Sequence, residues 1–481
     1  MYIFYFTAPL NSYLVRLGHV RRAHNLFMLA HANLGVAAVA TRNDVLSSSL
    51  SYRMQEWVAD LSGIPVFRHT NTADEIVKSN ISMTQSYLMR GLLTPACAAL
   101  RLAVRAMKSS QASKNFSHML QVEVLNVLVE SYQGNSYSRS RARLEQLEAQ
   151  FDRSPAGSES RGLHHLATGI VHFSNGLLTE SLNSLVRAVV YYERAECSFM
   201  VYASIVQRGW VQLLCGNVVS ADHDITAASQ VFLTGGTNVQ LNKWVIELKI
   251  VHNICRGMFH EAEVDWEELR VIRKRDDHTA TSSALAAYLR MRRGQFIDAS
   301  TFARYACIRL EEKVVTSAAS GVFLFFAGYS ALCIVEAVKE QLRAALTTDR
   351  QSYESASSLS TQTQVIVSPS QGKRIVEQLK PCVDNVISVL QRACHHIPIL
   401  SLLRSTLMIM RRRVLEELTS PPEVLTDDEM TCFEFGIAFY NGERAKCLES
   451  MGITYRPQAA EARTLANGLL FKSVVAEANA Y

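Results

Sequence analysis

The sequence is short of breaks, of charge and of catalytic signatures. Ten prolines in 481 residues leave long stretches with no enforced interruption of helical hydrogen bonding. Charged residues make up 19% against 48% hydrophobic, which excludes a chain held open by its own charge. The net charge of +5, from 49 basic and 44 acidic residues, is too small an excess to imply a nucleic-acid partner. Ten cysteines are scattered from Cys97 to Cys447 without one CxxC pair. Several stand in apolar stretches, as Cys215 and Cys333 do. They read as reduced, buried thiols of a cytoplasmic protein, not as a disulfide or zinc framework. The opening MYIFYFTAPL lacks the basic residues and the length of a secretory signal. Its abrupt apolar start suggests a chain cut from something longer.

Enzyme motifs are missing too. The Gly-Lys pair at Gly372-Lys373 lies in a Ser-rich stretch, with no strand before it to form a phosphate loop. His260-Glu261 opens like a zinc-protease helix, but Val264 stands where the second histidine is needed. His164-His165 and Cys394-His395-His396 are the best metal candidates. Neighbours on a helix point about 100° apart, so one ion is hard for both to reach. They read as ordinary helix positions. No catalytic, cofactor-binding or metal-ligating residue is assigned, and the chain is expected to be non-enzymatic.

What the sequence does contain is a repeat. GLLTPACAALRLAV begins at Gly91 and GLLTESLNSLVRAV at Gly176. Both place a small residue five positions after the glycine, a large one at nine and a small one at twelve. The same template starts at Gly18, Gly216, Gly257 and Gly294, and at Asn135, where asparagine tolerates the left-handed backbone next best. The first small positions are Ala23, Ala96, Ser140, Ser181, Ala221, Ala262 and Ala299. Offsets five, nine and twelve share one helix face. Small residues let a neighbouring helix approach, and the large one fills the groove between them. The turn residue, just before, ends the preceding helix in a left-handed turn. A small residue also precedes the turn by seven positions at Gly169, Gly209 and Ala287, but not at Thr84 or Ile250. From Asn135 onward the spacing is close to 40 residues, the mark of stacked helix pairs.

This spacing resembles the tetratricopeptide repeat, from about Leu14 to Tyr305. The usual period of that family is shorter, so its peptide-carboxylate clamps are not carried over. Long, degenerate copies of this kind resemble the C-terminal regions of MalT-like regulators, signal-transduction ATPases and soluble-type adenylyl and guanylyl cyclases. FAGYSALCIVEAVKEQL (326–342) and LESMGITYRPQAAEARTLANG (448–468) are similar to segments of such cyclase tails. The resemblance implies an all-α, right-handed superhelical solenoid of helix pairs, with catalytic domains in cis outside this chain.

The organisation expected is a repeat array over 1–345, a flexible linker over 346–372 and a helical region over 373–481 continuing the array. Eleven of the 25 residues from Thr347 to Gln371 are Ser or Thr, hence the linker. A last helix pair is expected over 426–440 and 457–470. Basic clusters at Arg139 to Arg143, Arg270 to Arg275, Arg290 to Arg293 and Arg411 to Arg413 read as solvated faces or helix-end cations. The alternative is a groove for an acidic partner. Functionally, the sequence points to a scaffold for protein partners, as the regulatory tail of a larger signalling protein, with no nucleic acid and no cofactor. Two alternatives stay open: a stand-alone adaptor, and membrane attachment through the 22 uncharged residues 314–335.

Overall fold

A computed structural model describes residues 70–89, 93–109, 116–133, 137–153, 157–235, 239–273, 280–311, 318–351, 368–395, 397–417 and 433–451. Every regular element among them is an α-helix. In chain order these are α1 (Thr70–Met89), α2 (Leu93–Ser109), α3 (Phe116–Tyr132), α4 (Tyr137–Asp152), α5 (Ser158–Ser174), α6 (Leu178–Arg194), α7 (Ser198–Leu214) and α8 (Val218–Gly235). There follow α9 (Val239–Cys255), α10 (Phe259–Arg273), α11 (Ala280–Arg292), α12 (Phe296–Glu311), α13 (Ala318–Gln351), α14 (Pro369–Cys394), α15 (Leu400–Val414) and α16 (Glu434–Ser450). The chain forms two compact units, one of Met1–Val211 with His223–Val245, the other of Gln212–Asp222 with Ile246–Tyr481. The division therefore falls inside α7, α8 and α9, far from the linker expected on composition.

The turn glycines explain how one helix becomes the next. Gly176, Gly216, Gly257 and Gly294 have φ of 81°, 85°, 72° and 72°. At each, the glycine N–H bonds the carbonyl three residues back, and the next N–H reaches four residues behind the glycine. At Gly176 these bonds are Gly176 to Phe173 at 3.1 Å and Leu177 to His172 at 3.0 Å. That pair of bonds closes a helix on a left-handed residue. The second helix then starts two residues after the turn position, at Leu93, Tyr137, Leu178, Val218, Phe259 and Phe296. A Cβ on Gly176 would meet nothing within 4 Å, so only backbone conformation argues against a side chain there. Gly176→Ala is expected to lower stability by about 1 kcal/mol, measured by thermal melting followed by circular dichroism. Glu196 ends α6 in the same way at φ 52°. Glu196→Gly should raise the melting temperature.

The packing face is closed. Ala96, Ser181, Ala221, Ala262 and Ala299 are fully buried, and their partners Leu100, Leu185, Ile225, Trp266 and Ala303 are buried too. In the α5–α6 pair the reason for the small residue seven before the turn is visible. Ser181 Oγ donates to the Gly169 carbonyl at 2.8 Å, and a Cβ on Gly169 would lie 2.8 Å from Leu185 Cγ. Gly18, Ala23, Gly91 and Asn135 lie outside the described residues.

The second unit is built round α13. Its most apolar stretch, Ala319–Arg343, is long and apolar enough to cross a membrane, with mean hydropathy 1.9, yet 83% of that window is buried inside the protein. Phe325, Phe326 and Tyr329 meet Phe435 and Phe439 of α16, with ring centroids 5.0 Å apart for Phe325–Phe439 and 5.2 Å for Tyr329–Phe439. Helices also occupy both ends of the expected linker. α13 runs through Gln351, and α14 opens at Pro369 on a Ser368–Gln371 capping box. A proline in the first turn and a serine cap start a helix where a count of Ser and Thr suggests loop. Residues 352–367 lie outside the described set. Of the expected helix at 426–440, residues 434–440 are helical within α16, which runs on to Ser450; 426–432 and 457–470 lie outside the described residues.

Candidate functional site

Among the described residues, two clefts open between neighbouring helices. One, of about 370 Å³, lies in the first unit between α4, α5 and α6. Its floor is aromatic and buried: Phe151 and His164 are each 2% exposed and His165 9%. Its rim is charged, with Glu148, Asp152, Arg161, Arg187 and Arg194, and carries the exposed Val186 and Val190.

The two adjacent histidines, read as ordinary helix positions, face different partners. His164 Nε2 donates to the Leu144 carbonyl at 2.9 Å and its ring lies 5.2 Å from Phe151. His165 stacks on Tyr191, with ring centroids 5.2 Å apart at 16°. Among the described residues no group of three His, Cys, Asp or Glu side chains is placed to hold a metal ion. His396 is outside that set. Burial pushes the Cys394 thiol up to about 11.

Burial drives the His165 imidazole down to about 4, and neighbouring His164 and the Arg187 and Arg161 cations, which disfavour a second proton there, add to it. Burial lowers His164 as well. Both rings are neutral at pH 7. An unfolded chain protonates histidine near about 6.5. It therefore takes up a proton before the folded chain does, and the stability His165 contributes is complete above that pH and lost as the pH falls toward about 4. Between pH 7 and pH 5 this one group should lower the stability of the first unit by about 2 kcal/mol. Denaturant melts at the two pH values check this, and His165→Gln should remove that part of the slope.

The rim pairs are loose. Arg161 and Asp152 are 3.5 Å apart, and Arg187 and Glu148 3.8 Å. Arg194 lies over the Tyr191 ring at 5.7 Å, and no described carboxylate is within ion-pair distance of it.

The second cleft, of about 310 Å³, lies between α10 and α11 around Trp266. Arg270 and Arg290 lie over the indole at 5.8 and 5.6 Å. Here the cations are already engaged: Arg293 with Glu263, and Arg270 and Arg290 with Glu267 at 2.7 and 3.8 Å. The other basic clusters are similar. Arg143 contacts Glu130 at 2.7 Å and Glu123 at 2.8 Å, and Arg411 contacts Asp384 and Glu417, each at 2.6 Å.

The repeat positions singled out in the sequence build the walls and line neither cleft, apart from Trp266. The cleft residues that sequence reasoning passed over are Val186, Arg187, Val190, Tyr191 and Arg194. Their signal was positional: on a helical net they fall on the side of α6 away from Ser181, Leu185 and Ala188. No family model matches the chain, and no curated protein matches it.

Proposed function

We propose that this chain is a non-catalytic helical-repeat region that holds protein partners, its helix pairs running on as a right-handed solenoid with a period near 40 residues. In the cell it serves as the cytoplasmic regulatory or scaffolding tail of a larger signalling protein, of the kind seen in nucleotide cyclases and signal-transduction ATPases. One observation carries the partner-binding part of this reading. The exposed large apolar residues among those described are Val186, Val190, Val219, Val264, Val271, Ile297 and Ile308. All seven lie on second helices, three, seven, ten or fourteen places after the turn glycine. Those offsets form one stripe on the face opposite the packing positions at five, nine and twelve. An apolar stripe left open to solvent marks an interaction surface. Its three- and four-residue spacing suits a partner helix.

The test is to identify by mass spectrometry what co-purifies with the full chain, and to repeat it with Val264→Ser, Val271→Ser and Ile308→Ser combined. These side chains are exposed, so the melting temperature should hold while captured partners are lost. An unchanged partner set, or none with the parent chain, refutes the reading.

A further inference from the structure

The cleft between α4, α5 and α6 holds polar capacity that the fold leaves unused. His165 is nine-tenths buried. Its ring contacts are His164 at 5.2 Å and Tyr191 at 5.2 Å, and neither ring nitrogen hydrogen-bonds a described residue. Neither nitrogen is sealed from the cleft, so the ring N–H is open to an acceptor that enters it. Arg194 is in a similar position, with an aromatic ring beside it and no carboxylate. Arg187 reaches Glu148 only at 3.8 Å, and the two side chains are 65% and 46% exposed. A pair that open contributes little, so Arg187 is available to a better acceptor.

Charge narrows the class of ligand. The lining holds three arginines, Arg161, Arg187 and Arg194, against two carboxylates, Glu148 and Asp152. One positive charge is unmatched. A single carboxylate complements it, whereas a dianionic phosphate would meet repulsion from both acids. Beside the arginines, Val186 and Val190 stand one helical turn apart, 46% and 38% exposed. They offer an apolar seat within reach of the same guanidiniums. The buried floor and open, charged rim match a side chain inserted from a larger surface better than an enclosed small molecule.

We propose that this cleft seats an acidic–apolar peptide segment of a protein partner. Arg187 and Arg194 hold its single carboxylate, the His165 N–H donates to the same group, and the adjoining aliphatic side chain lies on Val186 and Val190. The proposal rests on the partner-binding function above and names the chemistry this part of the surface reads. The carboxylate is either an Asp or Glu side chain or a free chain terminus, and these present the same two oxygens.

The experiment is a fluorescence-anisotropy titration of the intact chain with three labelled peptides. They are Gly-Leu-Glu-Leu-Gly with an amidated end, the same peptide with Gln for Glu, and Gly-Leu-Gln-Leu with a free carboxylate. The Glu peptide should bind at least about tenfold more tightly than its Gln counterpart. Tight binding of the third peptide assigns the chain terminus as an equal source. Arg194→Met should weaken carboxylate binding by about tenfold, and Arg187→Gln, on the exposed rim, serves as the second variant. Arg411→Met, in the second unit, should leave binding unchanged. Equal affinity for the Glu and Gln peptides, no binding by any peptide up to about 5 mM, or indifference to Arg194→Met overturns the proposal. The serine substitutions at Val264, Val271 and Ile308 do not touch this cleft, and the titration needs no captured partner. Either reading can therefore fail alone.

Discussion

Replacing Glu443 by alanine is expected to destabilise the second unit by about 3–5 kcal/mol, the usual effect of stripping one partner from a buried ion pair. Glu443 of α16 has a side chain only 2% exposed, and Arg413 of α15 is 11% exposed. Arg413 Nη2 donates to Glu443 at 2.9 Å and to Glu336 of α13 at 3.0 Å. The Tyr329 hydroxyl donates to Glu443 at 3.2 Å, and Lys446 lies 3.3 Å from the same carboxylate. Burial alone would raise the Glu443 carboxyl, but Lys446 and Arg413 hold it below its ordinary value. Its contribution is therefore present above the unfolded carboxylate range and fades as the pH falls through the lowered value. Alanine leaves Arg413 with Glu336, whose side chain is 25% exposed, and takes from Lys446 the carboxylate it pairs with. If charge is what matters, Glu443→Leu combined with Arg413→Met should recover most of the loss, because it removes both charges and refills the space. Chemical denaturation of the three chains decides. A loss below about 1 kcal/mol for Glu443→Ala would place the pair among surface salt bridges.

That pair also shows where the sequence was silent. Asn441-Gly442-Glu443-Arg444 has the composition of a solvated turn, yet Asn441 and Glu443 are 1% and 2% exposed in the middle of α16. Nothing local signals it: the burial comes from α13 and α15, whose Tyr329 and Arg413 stand 114 and 30 residues away along the chain. The helix pairs were legible for the opposite reason. A turn glycine, its small, large and small followers and the small residue seven before it lie close together in sequence, and they meet each other. The all-helical class follows from that spacing. At the ends of the expected linker capping outweighs composition: Ser368, Pro369 and Gln371 form a helix start inside a Ser-rich run, while 352–367 lie outside the described residues. The α4–α6 cleft was half legible. His164 and His165 drew attention as a pair, but their separate partners, Leu144 and Tyr191, come from two other helices.

The local logic of the repeat makes the last prediction, a coupling between Gly169 and Leu185. Leu185 stands at the large position of its copy and is 1% exposed. Leu185→Ala should lower stability by about 2–5 kcal/mol through lost burial and the cavity left behind. Gly169→Ala should lower it by about 1–3 kcal/mol by overpacking, because the new Cβ would sit 2.8 Å from Leu185 Cγ and 2.9 Å from Cδ2. The two losses have one geometric origin. With Leu185 shortened to alanine, the atoms that a Cβ on Gly169 would strike are gone, and the methyl group refills part of the void. The double variant should therefore be more stable than the sum of the single losses implies, by about 1–2 kcal/mol in a double-mutant cycle. Additive losses would mean that the glycine is required by its backbone or by the Ser181 hydrogen bond at 2.8 Å, not by the approach of Leu185. Thermal and denaturant melts of the four chains separate the two cases. Coupling is also what gives the template its physical content: small at one position is required because large stands at the other.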